Sequence, residues 1–595
     1  MLNKETLLRE RFGHHAFKEG QEEAIDAIMN GRDLLMILPT GGGKSLAYQL
    51  PSLMMGGTTV VISPLIALMQ DQVHALKAQQ MQAAMLSHTQ STQENDAIIA
   101  KLMNNELSFL YLSPERLNTP KIQYLLGQIA INFFVIDEAH CISEWGHEFR
   151  EDYRSLRLLK SLYPAVSIAA FTATATSQVQ HDIISLLSLN EPFVFKGKIF
   201  RHNLLIQVRQ RIKNGYDALI AFLQEHQGEN GIVYVSSRKK SEELSAYLNT
   251  HGFSSLYYHA GMPQQERDAT FEAFVYDRVS IVVATIAFGM GIDKSNIRFV
   301  VHMSMPKTLE NYYQEIGRAG RDGDSADVLM LYSGEDMVYA KMRLEEIDNE
   351  QYRWHLQGKL TTMYRYVSGE ACRHQFLAKY FEDTIKPCAS SCDNCQAGEI
   401  EKQDITIEAQ KLLSTVYKTG QRFGKSYVID VLRGSTGQKI LENGHDELSV
   451  YGIGKSMHKN QWLVIIDRLL ETECLRLGEY QVIALTSKGG DVLRGTKKIN
   501  IALSRLHVKK LKMKKEMIPE GDFDGALFSK LRELRASLSL ELGIPAYLVF
   551  SDKSLKEMAK EKPVDEQGML EINGVGKKKF EQYGEAFLKV ISFYL

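Results

Sequence analysis

Short apolar runs recur along this chain with helix-length stretches between them, and they do so in two separate series. Leu34–Leu38, Thr59–Ile62, Phe109–Leu112, Phe133–Ile136 and Ile168–Phe171 make the first series. Ile232–Val235, Ile281–Ala284, Phe299–Val301 and Val328–Leu331 make the second. Brief apolar runs that alternate with helical patterns predict strands of a parallel sheet covered on both faces. Two series predict two α/β domains, joined near 197–203. A chain of 595 residues needs more than one core in any case.

After Tyr332 the strand rhythm stops. Residues 335–383 read as helical and charged, and four of the six cysteines crowd into 372–395. Helical patterns over 404–490 end in a strand pair at 474–477 and 482–485, an order that suits a winged helix. From Val492 to Lys515 the chain is rich in Lys and Arg and free of acid. From 522 onward it reads as a small all-α bundle. The expected division is 1–200 and 201–340 for the α/β domains and 341–402 for a helical cysteine module. A winged helix over 403–495, a basic linker over 496–521 and the bundle over 522–595 complete it.

The net charge of −2 and pI near 6.8 advertise no global affinity for nucleic acid, so any such contact must be a local patch. The first residues lead into an amphipathic segment, not a signal peptide, and no apolar run approaches the roughly 20 residues of a membrane helix. A cytoplasmic protein is expected, with no membrane partner.

Leu38-Pro39-Thr40-Gly41-Gly42-Gly43-Lys44-Ser45 lies between a predicted strand and a helical pattern. Glycines there let backbone N–H groups close around phosphate, and the helix N-terminus adds a favourable dipole. Lys44 would reach the β- and γ-phosphates, and the Ser45 hydroxyl would ligate Mg2+. Asp137 and Glu138 end the apolar run 133–136. Asp137 is the candidate magnesium carboxylate, and Glu138 the candidate that polarises an attacking water. The loop that follows carries Trp145, His147, Phe149 and Arg150, residue types that stack on bases and grip phosphate. In the second series Arg318 and Arg321 stand three apart among glycines, a spacing that aims both guanidiniums similarly. Arginines delivered to a γ-phosphate stabilise transition-state charge. Cys372, Cys388, Cys392 and Cys395 have the spacing of a closed tetrahedral Zn2+ site, structural rather than catalytic. Cys141 and Cys474 stand apart and read as core. In the last domain Tyr547 and Lys577–Lys579 are candidates for single-strand contact, while Trp462 reads as core.

Taken together these segments resemble RecQ-type DNA helicases of superfamily two. The likeness rests on LPTGGGKS (38–45), SPLIALMQDQV (63–73), LSPERL (112–117), DEAHCISEWGHEFR (137–150), FTATAT (171–176), VVATIAFGMGIDK (282–294), QEIGRAGRDG (314–323) and the four-cysteine spacing. GQRFG (420–424) and GHDELSVYGIG (444–454) resemble the bacterial winged-helix portion, and the tail from Asp522 resembles a helicase-and-RNase-D C-terminal (HRDC) domain. The resemblance implies two RecA-like motor domains, ATP hydrolysis, translocation on single-stranded DNA and 3′→5′ unwinding of duplex DNA in recombination, repair and the SOS response. It implies that Arg318 and Arg321 meet the γ-phosphate, Arg321 as the finger, and that Gln21 reads adenine. His14 and Lys18 occupy positions where the family usually has Tyr and Arg, and Glu151 stands where a proline is common. A monomer is implied, with single-strand-binding protein and a topoisomerase as partners. Two other readings stay open on the residues alone: an RNA-unwinding or non-unwinding translocase, and a binding scaffold with a dead ATPase.

Overall fold

The structure is a computed structural model that describes residues 3–39, 41–87, 90–146, 149–286, 288, 294–397, 402–477, 482–502 and 523–595. The first apolar series folds into a seven-stranded sheet of β1 (Leu34–Ile37), β2 (Thr58–Ile62), β3 (Ala83–Leu86), β4 (Phe109–Leu112), β5 (Ile131–Ile136), β6 (Ser167–Thr172) and β7 (Phe193–Lys196). Its order is β3-β4-β2-β5-β6-β1-β7, and every pairing is parallel. The second series folds into six parallel strands: β8 (Leu204–Gln210), β9 (Asn230–Tyr234), β10 (Ser255–Tyr258), β11 (Ile281–Ala284), β12 (Ile297–His302) and β13 (Ala326–Tyr332). Their order is β10-β11-β9-β12-β13-β8. Two parallel-sheet α/β domains are therefore present, as the two series predict, and they have the RecA-like form that the resemblance implies.

In these two sheets every expected strand is found, and among the described residues four more join them: β3, β7, β8 and β10. All four are sheet edges. Interior strands are buried on both faces and read as unbroken apolar runs, whereas an edge strand has a partner on one side only and tolerates Ala, Gln, Ser or Lys. Alternation shows the two-faced burial directly. Val60 and Ile62 enter one core cluster and Val61 the other, on opposite sides of the first sheet.

Helices Gly334–Glu345, Glu350–Ser368 and Arg373–Tyr380 follow the second sheet. Met363, Tyr366, Leu377 and Phe381 join the core of that sheet, so the cysteine module is packed against the second α/β domain. A third core gathers helices Thr406–Lys418, Lys425–Arg433 and Lys459–Glu471 with the antiparallel pair β15 (Leu475–Leu477) and β16 (Ile483–Leu485). Trp462 is buried there and donates its indole N–H to the Gly454 carbonyl at 3.1 Å, so it is a core residue as read. β14 (Lys402–Asp404) pairs with β17 (Asn500–Ala502), which brings the start of the stretch read as a linker into the fold. The tip of the β15–β16 hairpin and most of the basic run, 503–522, lie outside the described residues.

The terminal bundle, built on helix Gly525–Leu542, has its own core and touches both α/β domains. Gly574 N–H donates to the Gly13 carbonyl at 3.0 Å, and Lys578 donates to Gln80 at 3.0 Å, both on the first domain. Lys556 pairs with Asp324 at 2.7 Å, and Tyr276 donates to the Gly543 carbonyl at 2.8 Å, both involving the second. No described helix is long and apolar enough to cross a membrane.

Candidate active site

In parallel α/β sheets ligands bind beyond the carboxyl ends of the strands. β1, β5 and β6 lie side by side in the order β5-β6-β1, and their carboxyl ends deliver the glycine loop, the acid pair and the Thr172–Thr176 segment to one edge. Gly41 and Gly43 have φ of +80° and +88°, a conformation that side chains disfavour. A Cβ at Gly43 would collide with the Gln21 amide nitrogen. Lys44 begins helix Lys44–Met55, with Ser45 behind it in the first turn. Thr40 lies outside the described residues.

Gln21 is tied to this loop. Its amide N–H donates to the Gly43 carbonyl at 3.0 Å, and its carbonyl accepts from Lys18 N–H at 2.7 Å. Each amide atom keeps one further hydrogen-bonding capacity. Lys18 donates its ammonium to the Gly41 carbonyl at 3.1 Å, and His14 is exposed beside the junction with the terminal bundle.

Burial and the neighbouring Glu138 carboxylate push Asp137 up to about 6, with Lys44 opposing the shift. Its carbonyl accepts from Tyr153 OH at 2.9 Å. Glu138 has φ of +48°, an uncommon left-handed conformation for a residue with a side chain, and strain of that kind gathers at functional sites. Its carboxylate lies 3.3 Å from His140 Nδ1, and the same nitrogen is 3.0 Å from Thr172 Oγ1. His140 is buried and joins the acid pair to the 171–176 segment. Neither His140 nor Thr172 was among the candidate residues, although both stand inside quoted motifs.

The second sheet faces this edge with the turn 317–324. Arg318 is buried, and a Cβ on Gly41 would come 3.4 Å from the Cα, Cβ and Cγ atoms of Arg321. The two halves of the expected site therefore meet across one cleft. Residues that no motif singled out hold the turn in place. Arg201 donates to the carbonyls of Gly317, Ala319 and Gly320 at 3.2, 2.9 and 2.6 Å. Asn203 donates to those of Gly320 and Asp324, both at 2.9 Å, and Arg298 grips both oxygens of Asp322 at 2.7 and 2.6 Å.

On the loop after the acid pair, Trp145 is 44% exposed, the largest fraction for any tryptophan but Trp354. Phe149 lies under the Arg154 guanidinium, 5.1 Å from ring centre to carbon, and Arg150 donates to the Pro64 carbonyl at 3.0 Å. His147 lies outside the described residues. Tyr547 is half-buried in the terminal bundle. Lys578 faces Gln80 of the first α/β domain and Lys579 lies over Phe550, with burial lowering Lys579 to about 8, so two of the three candidate bundle lysines are engaged within the protein.

The four sulfurs of Cys372, Cys388, Cys392 and Cys395 lie within 4.8 Å of one another. Tetrahedral Zn–S bonds of about 2.3 Å require sulfur separations of about 3.8 Å, so the set fits zinc with little movement. Asp393, between two of the cysteines, ties them to the sheet: it accepts from Val208 N–H at 3.0 Å and pairs with Arg373 at 2.9 Å.

Family models match in chain order: a DEAD/DEAH box helicase over 18–183, a helicase conserved C-terminal domain over 214–323, RecQ zinc-binding over 334–396, an RQC domain over 399–510 and an HRDC domain over 524–591. The chain is 41% identical over 590 residues to an ATP-dependent DNA helicase RecQ of Pasteurella multocida, covering 98% of this chain and 93% of the relative. It is 39% identical over 590 residues to the protein of that name in Haemophilus influenzae, covering 98% and 95%. The Bacillus subtilis protein of that name is 38% identical over 599 residues, covering 100% and 99%.

Proposed function

We propose that this chain, which belongs to the RecQ family of ATP-dependent DNA helicases, translocates on single-stranded DNA with 3′→5′ polarity and unwinds duplexes in recombination and repair. The observation that supports it most is the approach of Arg321 to the glycine loop: nucleotide-binding and charge-stabilising residues from two sheets share one cleft.

In this reading backbone N–H groups of 40–43 and the Lys44 ammonium hold the phosphates of ATP. Ser45 and Asp137 hold Mg2+, which when bound neutralises phosphate charge. Glu138 orients the attacking water and takes up its proton. Arg318 and Arg321 meet the negative charge that develops on the γ-phosphoryl oxygens. Gln21 reads adenine with its remaining amide capacity, and His14 and Lys18 flank the base. Zinc held by the four cysteines is structural. Trp145, His147, Phe149 and Arg150 engage single-stranded DNA, with Tyr547 as a further contact on the bundle. Because Trp145 is seven residues from Glu138, strand occupancy is felt where water is activated. Closure of the two domains on ATP and reopening after hydrolysis then give stepping. We place this work in the cytoplasm, by a monomer that meets single-strand-binding protein and a topoisomerase.

Strand displacement on duplexes with one 3′ or one 5′ single-stranded tail tests the proposal. Unwinding of the 3′-tailed substrate alone is expected. Preference for the 5′ tail would overturn the polarity, and ATP hydrolysis without strand separation on either would favour a non-unwinding translocase.

A further inference from the structure

Three distant parts of the chain meet at the ammonium of Lys359. It donates to the Trp145 carbonyl at 3.0 Å and lies 2.9 Å from Glu310 Oε1. Lys359 stands midway along helix Glu350–Ser368 of the cysteine module, and both it and Glu310 are buried. Glu310 belongs to the first turn of helix Leu309–Ile316, and that helix runs directly into the Arg318–Arg321 turn. The same Glu310 oxygen accepts from Tyr380 OH at 2.8 Å, which fixes it from a second side. One turn before Lys359, His355 meets the Trp145 indole edge-on with ring centres 4.8 Å apart. A small cleft between the domains is lined by Trp145, Glu310 and Phe381 together with His140 and Thr174 of the hydrolytic edge.

A buried ammonium shared by a carboxylate and a carbonyl loses stabilisation if either partner leaves, because burial limits how far water can make up the lost contact. Movement of the Trp145 loop therefore changes the surroundings of Lys359, and through Glu310 the seating of the helix that carries the arginines. We propose that Lys359 is a positioning residue that couples the base-contacting loop to the arginine turn, holding both in a resting arrangement until a single strand draws Trp145 away. This rests on the reading of Trp145 as a DNA contact.

The test is ATP hydrolysis by the full chain with and without a single-stranded oligonucleotide, read beside oligonucleotide affinity, zinc content and melting temperature. Lys359→Met keeps the aliphatic stem and removes the charge. It is expected to cut the fold-stimulation by DNA about tenfold while affinity stays within about twofold of wild type. Lys359→Arg should restore roughly half or more of the stimulation. Wild-type stimulation in Lys359→Met would overturn the proposal, as would affinity falling in step with stimulation, which would make Lys359 a DNA ligand. Should Lys359→Met lose zinc or melt early, Glu310→Gln cuts the same link from the other end, and full stimulation in that variant is equally fatal. Trp145→Ala is measured in parallel. Retained stimulation there would defeat the DNA-contact reading itself, whereas its loss beside a fully stimulated Lys359→Met would defeat the coupling alone.

Discussion

Both halves of the site use left-handed backbone, at Gly41, Gly43 and Glu138 on the first sheet and at Gly320 and Gly323 in the turn of the second, but the second turn is clamped by side chains from far along the chain. The first half is built from two short contiguous segments, 38–45 and 137–138, and its glycine loop is held by Lys18 and Gln21 from little more than twenty residues away. The second half is shaped by tertiary contacts that reach across more than a hundred residues, as from Arg201 to Gly320. A loop of the first kind moulds itself to a ligand. A turn of the second kind is prepositioned, so its guanidiniums reorganise little when charge develops.

The sharpest way to break this contrast is Arg321→Ala. Hydrolysis should fall about a thousandfold in kcat, with ATP binding largely kept, as measured by single-turnover kinetics and nucleotide titration. A loss of ATP affinity without loss of kcat would put Arg321 in ground-state binding. Cys392→Ser comes next, because the cysteine module braces the second sheet through Asp393. Loss of zinc and a destabilisation of about 3 kcal/mol, seen in metal analysis and denaturant titration, are expected. Normal zinc content would refute the four-sulfur site.

Arg201→Met removes the donor to the Gly317 and Ala319 carbonyls of the arginine turn and leaves Gly320 to Asn203. It should lower kcat roughly thirtyfold with little change in the KM for ATP. Gly43→Ala probes the other half, where a side chain meets both an unfavourable φ and the Gln21 amide. There the KM for ATP should rise about tenfold with the smaller change in kcat. If both variants moved the same constant, the division between a moulded and a prepositioned half would fail.

The smallest effect is one of pH and belongs to the second sheet. His226 is buried against Asp327 at 3.0 Å and Glu229 at 2.6 Å, and these carboxylates raise it from 6.5 to about 9 against the opposing effect of burial. Its folded pKa lies above its unfolded one, so the stabilisation is complete below about pH 6.5 and is lost as pH rises towards 9. Roughly 1 kcal/mol should disappear between about pH 7 and 8, visible as a lower melting temperature. His226→Gln should flatten that slope, and an unchanged slope would assign it to other groups.

Much of the first half was legible because its chemistry is written consecutively. The glycine loop, the acid pair and the cysteine cluster each need neighbouring residues, so spacing alone reveals them. Arg201, Asn203 and Arg298 were not legible, since nothing local distinguishes a surface arginine from one that caps a turn far along the chain. His140 and Thr172 sat in plain view inside motifs, and only their 3.0 Å approach shows that they work on each other. Three of the four edge strands, β7, β8 and β10, escaped for a physical reason too, because polar and half-exposed residues interrupt their apolar runs, whereas β3 is fully buried and was missed although it is apolar throughout.

The most direct measurement is ATP hydrolysis by the full chain with no nucleic acid, with single-stranded DNA and with single-stranded RNA of the same sequence. Stimulation by DNA of about tenfold or more, with little from RNA, is the predicted result if the Trp145 loop contacts bases and reports to the acid pair, as proposed. Equal stimulation by RNA, or hydrolysis indifferent to either strand, would contradict it.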